Sequence, residues 1–224
     1  MFGFSWEKLF QLSALVLSVV NGLILVRVHL RDRARIAVKA IHPESYQWYF
    51  RAPAGQGPGG PTRRFGFIAY VDVSNKGYRP VTLDSWHLHV RARNGKKAAL
   101  PAINMPEATA QIGELVKQFP VLGQRGLDSA SGNLRVESGD SICGMALYVY
   151  ECFGPDVWDP VGKGNDISGR MEVRDAFGGR ARCEIRFREQ TMTEMEAMVP
   201  GLGQFITTIG LEKKGSSVVS NATV

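Results

Sequence analysis

The sequence predicts a mainly β fold: an antiparallel β-sandwich that follows one N-terminal transmembrane helix and carries one or two short helices. Three observations support this prediction. The stretch from Leu9 to Val26 contains no charged residue, several later segments alternate apolar and polar residues, and Gly- or Asn-containing turn signals separate those segments. Alternation with a period of two is typical of strands with one buried face. One β domain of ordinary size is therefore expected after the helix.

The apolar segment near the N-terminus predicts a membrane anchor over residues 1–30. Its eighteen uncharged residues, Leu9 to Val26, form a helix of about 27 Å, close to the roughly 30 Å hydrocarbon core of a bilayer. A cleaved signal peptide would need a positive start and a small-residue cleavage site. Met1 to Lys8 holds one Glu and one Lys, and no such site follows Val26. Signal peptide and buried core helix are the two alternatives to an uncleaved anchor.

Basic residues on one flank of the span predict its orientation. Arg27, Arg31, Arg33 and Arg35 follow the apolar segment, and residues 31–35 form a basic juxtamembrane linker, whereas only Lys8 precedes the segment. Arginine and lysine collect on the cytoplasmic side of single spans. We therefore expect a single-pass protein with the bulk of its chain in the cytoplasm and its basic stretch against anionic membrane lipid.

Polar and small residues within the span predict self-association. Gln11, Ala14, Ser18 and Asn21 are spaced three, four and three residues apart, which places them on one helical stripe. Gly22 continues a series of small residues four apart that begins at Ala14. Small residues let two helices approach closely, and an amide in lipid seeks a hydrogen-bonding partner. The prediction is a homo-oligomer formed through this helix; the alternative is an ordinary span that pairs with nothing.

The net charge of the chain is explained largely by the membrane flank. The chain has 27 Lys and Arg against 21 Asp and Glu, a net charge of +6. Five basic residues and one acidic residue next to the span supply four of those six units: Arg27, Arg31, Arg33, Arg35 and Lys39 against Asp32. The remaining domain is only weakly basic, so nucleic acid is not an expected partner.

The cysteines favour a reducing compartment. Cys143, Cys152 and Cys183 are an odd number and include no C-x-x-C motif. This pattern favours neither a disulfide framework nor a zinc site. Reduced thiols agree with the cytoplasmic location that the flanking charges predict.

The β domain is expected to cover residues 36–211, with a disordered polar tail over 212–224. Alternation or apolar runs predict strands at 36–41, 65–74, 81–91, 141–151, 170–174 and 181–188, the last two joined by a Gly-Gly turn. The Gly- and Pro-rich stretch from Arg51 to Arg64 is expected to be a flexible connector. Helical spacing predicts a short helix at about 107–118, inside a segment over 101–133 that either binds something or covers the core. Two overlapping capping boxes, Thr191 to Glu194 and Thr193 to Glu196, predict a second short helix that ends at Pro200-Gly201.

Two sets of outward-facing side chains are candidates for binding. His87 and His89 share one face of a predicted strand, about 7 Å apart. They would bind a metal only with a third ligand, and two exposed imidazoles are the expected outcome. The densest charge lies on the last strand, whose outer row is Arg182, Glu184, Arg186 and Arg188.

The segments VDVSNKGYRPVTLDSWHLHV and MEVRDAFGGRARCEIRF resemble strand pairs of bacterial immunoglobulin-like domains, particularly those of membrane-anchored proteins of unassigned activity. The resemblance covers about a third of the chain. It implies the sandwich architecture and transfers no active site. No Cys precedes Trp86, so the Cys…Trp…Cys pattern of antibody domains is absent.

No hydrolase, nucleotide-binding or metalloprotease motif is present in the sequence. We therefore expect no catalytic residues, no cofactor and no bound metal. The favoured function is a non-catalytic, single-pass, membrane-anchored protein that binds an unknown protein partner or ligand at the cytoplasmic membrane face. The alternatives are a membrane-tethered hydrolase or transferase, with a site built from loop residues near His87 and His89, and an envelope protein that faces outward.

Overall fold

The computed structural model describes residues 6–31, 35–57, 60–91, 95, 97–106, 108–112, 115–122, 134–152, 162–163 and 166–208. Within these residues the chain begins with helix α1 (Trp6–Arg31), continues with strands and ends with helix α2 (Met192–Met198) and a helical stretch at 202–208. The strands are β1 (Ile36–Ala40), β2 (Gln47–Gly57), β3 (Gly60–Asn75), β4 (Val81–Arg91), β5 (Lys97–Ile103), β6 (Ala108–Ile112), β7 (Leu115–Phe119), β8 (Arg135–Val136), β9 (Ser141–Cys152), β10 (Gly162–Lys163), β11 (Asp166–Asp175) and β12 (Arg180–Glu189).

Seven of the strands close into a β-barrel. Their order is β11-β12-β2-β3-β9-β5-β4, and β4 pairs back onto β11. The closing ladder is long and antiparallel, from Gly169 opposite Val90 to Asp175 opposite Leu83. Most of the other pairings are antiparallel as well, and only a short parallel contact joins β12 to β2.

The predicted antiparallel β-sandwich is therefore wrong, and with it the immunoglobulin-like architecture that the resemblance implied. The individual strands were predicted correctly at β1, β4, β9, β11 and β12, and the strand predicted at 65–74 lies within β3. A sandwich and a barrel both give strands with one buried face, so alternation cannot distinguish the two. The difference lies in the pairing of β4 with β11, which removes the two free edges that a sandwich would leave.

Strands β1 and β2 lie end to end along the same edge of β3. β1 pairs with the second half of β3 and β2 with the first half. The side chain of Gln47 bridges the gap between them, because its amide donates to the carbonyl of Tyr70 at 2.8 Å and accepts from the Tyr70 N–H at 3.1 Å. Gln47 is buried and satisfies the backbone that the strand ladder leaves unpaired.

The barrel interior is filled by apolar side chains from every wall strand. Trp86, Leu88 and Val90 point inward from β4, as the alternation predicted. Ile185 and Phe187 point inward from β12 and Tyr148 from β9. An eight-stranded barrel is just wide enough for side chains to fill, so a packed interior is the expected state of seven strands.

A second apolar cluster covers the outer face of β2, β3 and β9. Its members include Phe50, Ile68 and Leu147 from the sheet. The covering layer consists of strands β6 and β7, helix α2 and the stretch 202–208, which contribute Phe119, Met195, Val199, Leu202 and Ile206. The barrel wall is thus buried on both faces here.

The helix predicted at about 107–118 is wrong. Residues Ala108–Ile112 and Leu115–Phe119 pair as an antiparallel hairpin. Ala108 and Phe119 pack into the outer cluster. Short apolar runs are ambiguous between helix and strand, and tertiary packing decides between them.

The connector predicted from Arg51 to Arg64 is also wrong. β2 continues to Gly57 and β3 begins at Gly60, with pairs from Arg51 opposite Phe65 to Gly57 opposite Gly60. The register shifts between Ala52 and Gly55, which lets the chain accommodate Pro53 in a bulge. The glycine and proline residues mark an irregular hairpin.

The predicted C-terminal capping box is confirmed at helix α2. Thr191 is the N-cap, its side chain accepts from the Glu194 N–H, and the Glu194 carboxylate accepts from the Thr191 N–H at 2.8 Å. The predicted tail over 212–224 lies outside the described residues.

Candidate functional site

The structure places all five residues of the predicted self-association stripe on helix α1. Gln11, Ala14, Ser18, Asn21 and Gly22 are exposed, and nothing lies within 4 Å of the position where Gly22 would carry a Cβ. The candidate span Leu9–His29 reaches a mean hydropathy of 2.2 over an 18-residue window, and none of that window is buried. One N-terminal helix is therefore long and apolar enough to cross a membrane.

Three of the four predicted juxtamembrane arginines lie within the residues that the structure describes. Arg27 lies on α1, and Arg31 is its last residue. Arg33 lies outside the described residues, and Arg35 is exposed directly before β1. The carbonyl of Arg35 accepts a hydrogen bond from the Lys76 N–H at 2.7 Å, which fixes the linker to the turn after β3.

The outer face of β11 and β12 carries six arginines. Five of them form what we call the arginine face: Arg170, Arg174, Arg182, Arg186 and Arg188. The sixth, Arg180, lies where β12 begins, opposite Arg174. The face arises from the strand register, because the inward positions Met171, Val173 and Ile185 alternate with these outward ones. Three acidic residues, Asp166, Glu172 and Glu184, lie on the same outer face. With Arg180 included, the outer face of β11 and β12 therefore has a net charge of +3, six positive charges less three negative ones.

Glu172 is the fixed centre of the arginine face. Its side chain is 3% exposed and accepts hydrogen bonds from Arg174 Nε at 2.7 Å and Arg182 Nε at 2.6 Å. These two bonds lower the pKa of the Glu172 carboxyl to about 2. The carboxylate stays ionised at physiological pH and holds two half-exposed guanidinium groups in place.

A third ion pair lies one row further along β11 and β12. Arg170 Nε donates to Glu184 Oε1 at 2.6 Å. Arg186 and Arg188 form no ion pair with any other residue that the structure describes. In all three pairs of this face the arginine uses its Nε, so the Nη groups are donors that an anionic ligand can engage.

His87 and His89 border the arginine face on β4. His87 lies opposite Glu172, and His89 lies opposite Arg170. Both are half-buried, and the buried His87 Nδ1 and His89 Nε2 make no hydrogen bond within the described structure. Burial, followed by the charge of Arg174, lowers the pKa of His87, so its imidazole is neutral at physiological pH. Among the described residues no three His, Cys, Asp or Glu side chains form a group able to hold a metal ion.

An open polar cleft of about 660 Å³ adjoins the arginine face near the turn before β2. Glu44, Asp166 and Glu184 line it together with Arg186 and Arg188, and neither His87 nor His89 does. His42, in the turn beside Glu44, has a φ of 46°, a left-handed conformation that is uncommon for histidine. The cleft thus places acidic and basic side chains beside one another at the edge of the arginine face.

Sequence reasoning identified the outer arginines of β12 but missed Glu172. The sequence does contain a signal for it: Glu172 stands between the apolar Met171 and Val173, two residues before Arg174. Residues two apart on a strand share a face, so the pattern places this carboxylate beside a guanidinium. Its burial also depends on β4, and the sequence predicts the pairing of β11 with β12 but not the pairing of β11 with β4.

No family model and no curated protein matches the chain. The chain is similar to several solved structures at low identity. A putative ApaA protein from Bordetella pertussis is 11% identical with a TM-score of 0.27, over 70% of this chain and 93% of that one. The sporulation control protein Spo0M from Bacillus subtilis is 10% identical with a TM-score of 0.27, over 79% and 55%. A family 123 glycoside hydrolase from Clostridium perfringens is 11% identical with a TM-score of 0.31, over 71% and 27%. Likeness at this level carries no functional argument.

Proposed function

We propose that the chain is a single-pass membrane protein whose barrel is a binding module at the cytoplasmic membrane face. The observation that carries the anchor is the exposure of α1: its apolar side chains point in every direction, and none of the Leu9–His29 window packs against protein. A helix that is apolar all round belongs in a protein core or in a membrane. The length of this helix matches the thickness of the hydrocarbon core of a bilayer.

The flanking charges support the cytoplasmic orientation. Arg27 and Arg31 end the helix, and Arg35 follows it, so the barrel side of the span is the basic side. Cys143, Cys152 and Cys183 are free thiols, which suits a reducing compartment. Self-association through the stripe from Gln11 to Gly22 belongs to the same proposal and would bring two barrels together.

The arginine face is the surface that binds in this proposal. Glu172 holds Arg174 and Arg182 side by side, and Arg186 adds a further exposed guanidinium on the same face. Guanidinium groups that are already positioned bind a carboxylate bidentately with less loss of side-chain entropy. The favoured partner is therefore an acidic segment of another membrane-associated protein.

Photo-crosslinking from the arginine face tests this function. The full chain carries a photoreactive amino acid at Ser168, an exposed position on the outer face of β11, and is irradiated in native membranes. The matched control carries it at Gln118, an exposed position in the hairpin on another side of the barrel. We expect a specific adduct from Ser168 and not from Gln118. The double variant Arg182→Glu, Arg186→Glu should reduce the adduct by roughly tenfold, since each exposed ion pair contributes up to about 1 kcal/mol and reversal adds repulsion.

Two results would contradict the binding proposal. An adduct of equal yield in the charge-reversed variant would show that the arginines do not recognise the partner. An adduct that contains only a second copy of the chain would show that the arginine face contacts another copy and does not bind a different protein.

A further inference from the structure

Two aromatic side chains stand out on the surface of the barrel. Tyr78 is 57% exposed and Phe177 is 81% exposed, and outside α1 they are the exposed large hydrophobic residues of the part of the chain that the structure describes. Tyr78 lies in the turn between β3 and β4, and Phe177 lies in the turn between β11 and β12. A single exposed apolar residue is ordinary on a protein surface, so the informative observation is that both aromatic residues lie at the same end of the barrel.

Both turns lie at the end of the barrel where β1 begins. The Ala176 N–H donates to the Thr82 carbonyl at 2.9 Å, which joins the Phe177 turn to the start of β4. The Lys76 N–H donates to the Arg35 carbonyl at 2.7 Å, and Ile36 pairs with Asn75, which joins the Tyr78 turn to the start of β1.

Buried polar side chains hold both turns in shape. Asp175 is 5% exposed and accepts from the N–H groups of Phe177 and Gly179, each at 2.8 Å. Asn75 is 1% exposed, accepts from the Gly77 N–H and donates to the carbonyls of Arg79 and Val136. The aromatic residues are thus presented by preformed turns, which lowers the entropic cost of docking.

The covalent link to α1 keeps this end of the barrel near the bilayer. Helix α1 ends at Arg31 and β1 begins at Ile36. Five residues of chain span at most about 17 Å. If α1 crosses a membrane, the Tyr78 and Phe177 turns are therefore at the barrel end that lies next to the headgroups.

The charge around the two aromatic residues complements an anionic surface. Exposed basic residues at this end are Arg35, Lys76, Arg79, Arg135 and Arg180, and exposed acidic residues are Asp84, Glu137 and Asp140. Glu137 pairs with Arg135 at 2.8 Å. Aromatic residues flanked by lysine and arginine are the composition that binds the interface of anionic membranes.

We propose that this barrel end docks on the anionic leaflet that α1 leaves, with Phe177 and Tyr78 inserted among the headgroups and Lys76, Arg79 and Arg180 against lipid phosphates. The proposal rests on the membrane anchor of the proposed function and adds a second, reversible contact. Docking through this end would fix the orientation of the barrel on the membrane. The arginine face, which lies on the side wall of the barrel, would then point along the membrane plane toward neighbouring membrane proteins.

Quenching by brominated lipid tests the docking in the full chain. Phe177→Trp is prepared in a Trp6→Phe background and reconstituted in vesicles of phosphatidylcholine and phosphatidylglycerol with brominated acyl chains. The background protein, which keeps Phe177, supplies the baseline. The matched control is Arg91→Trp in the same background, an exposed position at the other end of β4, about 33 Å from Val81 by strand rise.

We expect the emission of the indole introduced in Phe177→Trp to be quenched and that of the indole introduced in Arg91→Trp to be unaffected. Replacing Lys76, Arg79 and Arg180 by glutamate should abolish the quenching at position 177, because each basic residue strengthens binding to an anionic bilayer roughly fivefold. Quenching that persists in the glutamate variant, or an unquenched indole at position 177 in protein that floats with the vesicles, overturns the docking while the anchor stands. Protein that does not float with the vesicles overturns the anchor and the docking together.

Discussion

Gly66→Ala is expected to lower the free energy of unfolding by about 2–3 kcal/mol, the range for overpacking a tight core. Gly66 on β3 lies opposite Phe50 on β2. A Cβ at position 66 would lie 2.2 Å from Cζ of the Phe50 ring. Phe50 is fully buried in the outer cluster, so its ring has little room to withdraw. Urea denaturation of the full chain in a mild detergent, followed by near-UV circular dichroism, measures the loss.

A double-mutant cycle identifies the cause of this loss. Phe50→Leu alone removes the ring and destabilises the outer cluster. In the double variant Gly66→Ala, Phe50→Leu the new methyl group no longer meets the ring, so the combined loss should be smaller than the sum of the two single losses. Fully additive losses would contradict the explanation and would place the effect in the strand backbone.

Glu151→Gln is expected to cost about 3 kcal/mol, because removing one partner of a buried ion pair leaves the other charge uncompensated. The Arg64 side chain is 5% exposed, and its Nε donates to Glu151 Oε1 at 2.9 Å. Its Nη1 also donates to the Ile206 carbonyl at 3.3 Å, which ties the stretch 202–208 to the barrel wall. The same urea denaturation measures the change.

Two further variants control for the loss of a charge. Glu137→Gln removes an exposed pair with Arg135, 52% and 56% exposed, and should cost less than about 1 kcal/mol. The apolar double variant Arg64→Met, Glu151→Leu should recover most of the stability lost in Glu151→Gln. Equal losses for Glu151→Gln and Glu137→Gln would show that burial of Arg64 does not decide the energy.

The sequence predicts a strand such as β4 well because only one of its faces is fully buried. Trp86, Leu88 and Val90 alternate with polar residues, and all three fill the barrel. The capping box at Thr191 is a local signal, and the helix begins where that signal stands. In both cases the information lies within a few residues of the element that it predicts.

Closure of the sheet could not be predicted, because it depends on contacts between distant residues. Val90 pairs with Gly169, 79 residues later in the chain, and no local pattern specifies that partner. The hairpin β6–β7 has the same explanation: Ala108 and Phe119 are strand residues because the outer face of the barrel needs an apolar cover. The bulge at Pro53 could not be predicted, because a Gly- and Pro-rich composition usually indicates a loop.

Only part of the arginine face could likewise be predicted from the sequence. Arg182, Arg186 and Arg188 could be assigned to one outer row from alternation alone. Their fixed orientation could not, because it depends on the burial of Glu172 between β4 and β12. That Tyr78 and Phe177 lie at the same end of the barrel could not be predicted either, because it depends on the pairing of β4 with β11.

Carbonate extraction of native membranes, combined with the N-terminal sequence of the extracted protein, tests the anchor most directly. A transmembrane helix keeps the protein in the membrane pellet at alkaline pH, whereas a protein held only by headgroup contacts is released. We predict that the chain stays in the pellet and that its N-terminus precedes Leu9. Release of the chain into the supernatant, or a mature N-terminus beyond Val26, would contradict the membrane anchor and the binding module that depends on it.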